Sequence, residues 1–428
     1  MILDPVKNAF KIPDLRKKIL YTLFIILIFE IGSVITVPFM NAETLKSMFS
    51  LTSEETLANS MFGYLNLLSG GGMQRASLFA MSVSPYINAS IIIQLLTYAI
   101  PALERLQKEG EEGRKKISMI TRYVSVVLGI VEAIGYFFIL DNYGALETGD
   151  YNKFFVAVVI VASFTAGSAM VMWLGERINQ KGIGNGISII LFVSIATQFP
   201  TFVVQIFQAA QTKLAWGVII LLIFAVMIVL IVAMNDGERR IPVQYAKKVV
   251  GRKMYGGQST FLPLKVTMSG VLPIIFASAF VSMPSLIASF FPNSEFAKGV
   301  NTYFGHASWA YAVVYFILII AFNFFYVSVQ NNPVEMANNI QKNGGFVFGL
   351  RPGAPTADYI KRVLNKITIV GAACLAFIAI VPIFYQMGTQ IQVALGGTSI
   401  IIVVGVILET LKQLESQMLM RHYKGFLD

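Results

Sequence analysis

The chain is poor in charge, in histidine and in cysteine. Only 13% of its 428 residues are charged, against the ~25% usual in soluble domains. So few charges cannot hydrate the surface of a body this size, so an ordinary soluble globule is excluded. The two histidines, His306 and His422, lie far apart in sequence. One cysteine, Cys374, allows neither an internal disulfide nor a paired-thiolate metal site. HExxH, GxxxxGK[ST] and GxSxG are all missing, which removes common routes to metal, nucleotide and acyl chemistry. No cofactor, metal or catalytic residue is therefore expected. The glycines of Gly182-Ile-Gly-Asn-Gly186 follow no strand and read as a tight turn into the next apolar run. The N-terminus is basic and amphipathic with no small-residue cleavage site, so no secretory leader is expected.

Apolar residues are abundant, at 56%. They form ten long runs, at 19–38, 76–100, 118–140, 154–174, 187–208, 215–234, 269–290, 308–330, 367–386 and 391–411. Each approaches the ~20 residues a helix needs to cross a bilayer. An even count puts both termini on one side. Of the 33 lysines and arginines, all but Lys46, Arg75, Lys153, Lys213 and Lys298 then fall on the side of the termini. That side is cytoplasmic by the positive-inside rule. One missed span would scramble this alternation.

Residues 1–18 place Leu3, Val6, Phe10 and Leu15 on one helical face with lysines between, as in a helix lying on the membrane surface. Two cytoplasmic loops, 236–268 and 331–366, are long. The first alternates Val, Ile and Tyr with charges around a Gly256-Gly257 turn, the pattern of a hairpin standing off the membrane. The second reads as a helix, then Gly344-Gly345 and Pro352-Gly353 turns around Arg351, then a helix from Pro355. Such loops suit a docking surface; the bland alternative is that their lysines merely obey topology.

The stretch 64–98 is unlike the other runs. The apolar residues Tyr64 to Leu68 are too few to cross a bilayer and end at Gly70, Gly71 and Gly72. Consecutive glycines permit sharp turns and weaken helices. The reading is a short helix at about 62–75 that dips into the membrane, turns, and leads to a real span. Irregular backbone at that depth needs cover from protein or water, which implies a central cavity. The alternative is an external loop carrying an amphipathic helix.

Long motifs carry a resemblance over nearly the whole chain. They are Leu68–Ala80 (LSGGGMQRASLFA), Pro85–Leu96 (PYINASIIIQLL), Trp173–Glu176 (WLGE), Gly182–Ile190 (GIGNGISII) and Gly237–Lys248 (GERRIPVQYAKK). Gln258–Val266 (QSTFLPLKV), Gly349–Gly353 (GLRPG) and Gly396–Val406 (GGTSIIIVVGV) complete the set. Together they resemble the SecY family of protein translocase channels, of bacterial type. Relatives usually have glycine where this chain has Ser82, and arginine where it has Glu30.

The resemblance implies an all-α polytopic fold of ten transmembrane helices. Two pseudo-symmetric five-helix halves, 19–208 and 209–411, would surround an hourglass pore, with a cytoplasmic tail at 412–428. By motif position the waist falls on Val83, Ile87, Ile187, Leu191, Ile275 and Ile402. An apolar constriction of this kind dewets and resists ions, although packing is the usual fate of an aliphatic residue in a span. The segment with Tyr64, Leu65, Leu67, Leu68, Ser69 and the three glycines becomes the plug. A lateral gate would run between the second–third and seventh–eighth spans. Pro85 and Pro273 would bend its helices, Asn88, Gln94, Ser278, Ser282 and Asn323 would bond across it, and Ile91 would lie beside them. Arg239, Arg240 and Arg351 would dock a SecA motor or the ribosome. SecE and SecG subunits, signal sequences, unfolded preproteins and membrane lipids are the remaining implied partners, and the bacterial cell membrane the implied location. A secondary transporter is the rival reading; it needs polar or charged residues at the midplane, where the residues are mostly aliphatic, and the main intramembrane charges, Glu30 and Glu132, fit a membrane edge or a partner-facing position. A lipid-embedded enzyme lacks a catalytic constellation.

Overall fold

The computed structural model describes residues 9–41, 43–45, 66, 69–212, 214–245, 248–250, 253–255, 259–290, 294–296, 299–300, 308–389 and 396–424. Every apolar run of the sequence carries a helix. In order these are α1 (Pro13–Val34), α2 (Ser84–Ala99), α4 (Glu111–Asn142), α5 (Lys153–Lys181), the pair α6 (Gly186–Ala196) and α7 (Phe199–Thr212), and α8 (Leu214–Asp236). Then come α9 (Leu272–Phe290), α10 (Trp309–Gln330), α12 (Ala354–Thr389) and α13 (Gly397–Lys424). Among the described residues, seven of these ten segments are long and apolar enough to cross a membrane unaided. Helix α2 is shorter and turns by 100° into α3 (Pro101–Lys108). Side chains such as Leu20, Phe24, Leu222 and Val229 are exposed on the outside of the bundle, an apolar surface suited to lipid.

Run 76–100 becomes helical only at Ser84. Ala76 and Ser82 adopt φ of +43° and +48°, a left-handed backbone that cannot continue a helix. Residues 69–83 are turns, and much of the segment is buried. Asn66 is helical, whereas Tyr64, Leu65, Leu67 and Leu68 lie outside the described residues. So do residues 1–8 of the N-terminal surface helix and the Gly256-Gly257 turn.

The glycine-rich turn before α6 does what its composition suggests. Gly184 has φ +81°, and the Asn185 side chain caps α6 by accepting from the N–H groups of Ile187 and Ser188. A Cβ on Gly186 would stand 1.9 Å from the Gly175 carbonyl, so α5 and α6 touch through bare backbone.

The two long loops share one sheet. Strand β1 (Glu238–Tyr245) pairs antiparallel with β4 (Ser259–Lys265) on one flank and with β5 (Gly345–Val347) on the other. A short hairpin of β2 (Lys248–Val250) and β3 (Lys253–Tyr255) extends the first loop. The second loop supplies α11 (Pro333–Lys342), β5 and the start of α12. Ile241, Val243, Leu264 and Val347 pack onto Ile340, Ile360 and Leu364 from those helices. The sheet is thereby fixed to the bundle by a small core of its own.

Candidate functional site

Helices α2, α6, α9 and α13 surround a cavity of about 760 Å3. Ile87, Ile187, Leu191, Ile275 and Ile402 line it, together with Ile91 and Gln94. These five are members of the sextet that sequence position selects for a waist. The sixth, Val83, is the residue before α2; it is 1% exposed and packs into the same core. Asn179, Asn185, Asn235, Lys265, Glu409 and Lys412 also line the space. Lys412 is held by Asp236 at 2.8 Å. The cavity therefore combines an aliphatic wall with a polar mouth.

Residues 69–75 lie at the opposite end of α6. The Thr197 hydroxyl, just past that helix, donates to the carbonyls of Ser194 at 2.7 Å and Gly70 at 3.4 Å. Arg75 folds back to donate to Gly70 O at 2.6 Å and Gly71 O at 3.2 Å. Asn66 accepts from the Gln74 N–H, and Tyr136 of α4 donates to Met73 O, both at 2.8 Å. Gly70 and Gly71 have φ of +66° and +81°, which only glycine adopts without strain. Turns and side-chain clasps, rather than a helix, hold this part of the expected plug. Bonding of these carbonyls by side chains also satisfies backbone that sits in the interior of a membrane protein.

The expected gate residues divide. Gln94 of α2 and Tyr326 of α10 line the same cavity, and Tyr98 of α2 donates to Val329 O of α10 at 3.3 Å, a contact from the second span to the eighth. Asn88 instead donates to Glu132 of α4 at 2.8 Å, within the second–third pair, because its helical position turns it toward α4. Ser278 donates back to Ile275 O in its own helix. Asn323 is buried; Ser282 lies in α9 with its side chain outside the described set. Pro85 and Pro273 stand in the first turns of α2 and α9. Proline there removes no intrahelical bond, so neither bends its helix. Among the described residues, the prolines inside helices are Pro284 of α9 and Pro382 of α12. The Tyr98 contact escaped the sequence reading, since an aromatic in a span gives no signal of which helix its hydroxyl will meet.

On the sheet, Arg239 and Arg240 are exposed, and Arg240 pairs with Glu238 at 2.6 Å. Arg351 is exposed between Gly349 (φ +80°) and Gly353 (φ +101°). Its carbonyl accepts from Thr356 at 2.9 Å, which fixes the backbone and leaves the guanidinium at the tip.

The SecY family profile matches residues 77–411. The chain belongs to the SecY family. It is 42% identical to protein translocase subunit SecY of Streptomyces scabiei over 451 aligned residues, covering both chains completely. Among solved structures it is similar to a protein conducting channel, with a TM-score of 0.64 at 17% identity over 94% of this chain and 92% of that one. Sec61 in the canine ribosome-channel complex from the endoplasmic reticulum gives a TM-score of 0.63 at 17% identity with the same coverage. The fold is thus that of the SecY channels, a multi-pass membrane bundle.

Proposed function

We infer that this chain is the pore-forming subunit of a Sec translocon. It conducts unfolded secretory polypeptides across the cell membrane and releases apolar helices sideways into lipid. The observation that carries this reading is the cavity whose aliphatic wall holds Ile87, Ile187, Leu191, Ile275 and Ile402. Aliphatic side chains close around a passing chain without binding it, and dewet when it has left. Residues 69–75 serve as the stem of a plug, with Leu67 and Leu68 preceding them. The seam between α2 and α10 serves as the lateral gate, held by few polar contacts, each worth well under ~2 kcal/mol in a membrane. An apolar signal segment competes with bonds that weak.

The chain is a channel and not an enzyme; energy comes from its partners. The two halves, 19–208 and 209–411, clamp around the pore, with 1–18 and the tail 412–428 in the cytoplasm. Arg239, Arg240 and Arg351 face a SecA motor or the ribosome, since guanidinium groups suit carboxylate and phosphate alike. SecE and SecG complete the complex. A transporter reading would need a charged midplane site, and the cavity wall is aliphatic. The test is purified complex in vesicles with motor and ATP. We expect uptake of unfolded polypeptide, and for Ile275→Asn or Ile402→Asn an increased ion leak and acceptance of weaker signal sequences. No uptake by the parent complex overturns the channel reading, and unchanged conductance in both variants removes the two isoleucines from the waist.

A further inference from the structure

Strand β4 is bonded to β1 on one side only; among the described residues no strand pairs with its other flank. Free strand edges are templates for any extended chain that passes. This one stands beside the route of the polypeptide, because Pro263 and Lys265 of β4 line the central cavity. An unfolded chain entering there is itself extended and has unsatisfied backbone groups.

Ladder parity fixes which groups point outward. The Val266 N–H donates to Gly237 O at 2.9 Å, one step beyond the Glu238↔Lys265 pair. Alternation then turns Leu264, Leu262 and Thr260 toward β1. Ser259, Phe261, Pro263 and Lys265 present their backbone to the open flank. Proline has no N–H, so the outward row is broken in its middle, at a residue that lines the cavity. The other proline of the sheet, Pro242, follows the same rule. It falls on the β5 flank of β1, one residue before the Val243↔Val347 pair at which β5 ends, but it does not line the cavity.

We propose that Pro263 prevents polypeptides in transit from adding a strand to β4. It is a specificity residue of the channel: it keeps the entrance indifferent to sequences with strong strand preference, which would otherwise dwell on the edge. The idea rests on the channel reading given above. The plain alternative is that proline is tolerated at an outward edge position because no ladder bond is lost there. That alternative predicts no transport phenotype on replacement.

The experiment uses the full complex in vesicles with motor and ATP, and two unfolded substrates of equal length. One is rich in Val, Ile and Thr runs, the other is proline-rich and unable to form a ladder. Pro263→Val and, as a smaller restoration of the N–H, Pro263→Ala are compared with the parent and with Pro242→Val. We expect about fivefold slower transit of the strand-prone substrate in both Pro263 variants, the factor that ~1 kcal/mol of added ladder bonding gives. The proline-rich substrate should pass at the parent rate, Pro242→Val should behave as the parent, and melting temperatures should not fall. Equal rates for both substrates in both Pro263 variants, or equal slowing of both, overturns the proposal. Failure of the parent to pass either substrate instead overturns the channel reading.

Discussion

Gly70 and Gly270 share a backbone conformation, with φ of +66° and +60°, but not a neighbourhood. A Cβ on Gly70 would stand 2.7 Å from the Thr197 hydroxyl and 3.1 Å from the Ser194 carbonyl, whereas a Cβ on Gly270 would meet nothing within 4 Å. Each glycine precedes a helix that lines the cavity, α2 or α9. The segment before α2 is a clamped closure in which side chains and backbone are bonded to the bundle. The segment before α9 is an open turn leading down from the sheet. The same glycine chemistry thus serves a packed turn in one place and a roomy turn in the other. Neighbours, not φ, decide which of them tolerates change.

Partner dependence should separate the two regions most strongly. The docking proposed for Arg351 belongs to the sheet side, and no such role is proposed for the segment before α2. Reversing a charge that docks a partner costs ~2–5 kcal/mol, so Arg351→Glu should lower motor-driven transport at least ~30-fold with resting conductance unchanged. Lys342→Glu, on a helical face of α11, should cost little. ATP-dependent uptake beside thermal melts checks this; normal uptake by Arg351→Glu, or a loss accounted for by unfolding, removes the docking role.

Next come the glycines themselves. Left-handed backbone costs an L-residue ~1–2 kcal/mol, and a forced contact adds ~1–3 kcal/mol. Gly70→Ala should therefore destabilise the closed state by about 3 kcal/mol and appear as flickering openings in planar bilayers. Gly270→Ala should cost about 1 kcal/mol with a quiet resting channel. Equal leak in the two variants would erase the contrast. A smaller effect is expected from Tyr136→Phe. It removes the bond to Met73 O, a carbonyl that keeps the Ala76 N–H as donor at 2.9 Å, a loss of ~0.5–1.5 kcal/mol. Leak intermediate between parent and Gly70→Ala is the expected reading.

The hydrophobic runs made the ten-helix order legible, because a bilayer accepts nothing else at that length. Position within motifs picked five aliphatic residues that do line one cavity. Composition alone would not have chosen them from among so many isoleucines. Three features stayed hidden for physical reasons. Strand β5 is three residues long, and its pairing with β1 is settled by a core built from distant helices. The start of α2 moved because left-handed Ala76 and Ser82 look like ordinary helix formers in a string of letters. Asn88, expected at the seam, meets Glu132 of α4 instead, while Tyr98, which carried no expectation, reaches α10, since helical rotation, invisible without the packed partner, decides which neighbour each one meets.

Ser82 sharpens the glycine comparison at its smallest scale. It stands at φ +48° just before α2. The residue is 1% exposed, and its hydroxyl is buried with no hydrogen-bond partner among the described residues. Two costs coincide here: left-handed strain of ~1–2 kcal/mol and an orphaned hydroxyl of ~1 kcal/mol or more. Ser82→Gly relieves both, while added freedom of the unfolded chain takes back up to ~1 kcal/mol. The net expectation is a gain of about 1 kcal/mol, seen as a melting temperature raised by ~2 °C in detergent. Ser82→Ala removes the hydroxyl but keeps the strain, so it should fall between the two. If Ser82→Gly melts lower than the parent, the hydroxyl has a partner that stabilises this turn, and Ser82 belongs with the clamped closure of Gly70 and not with strained backbone.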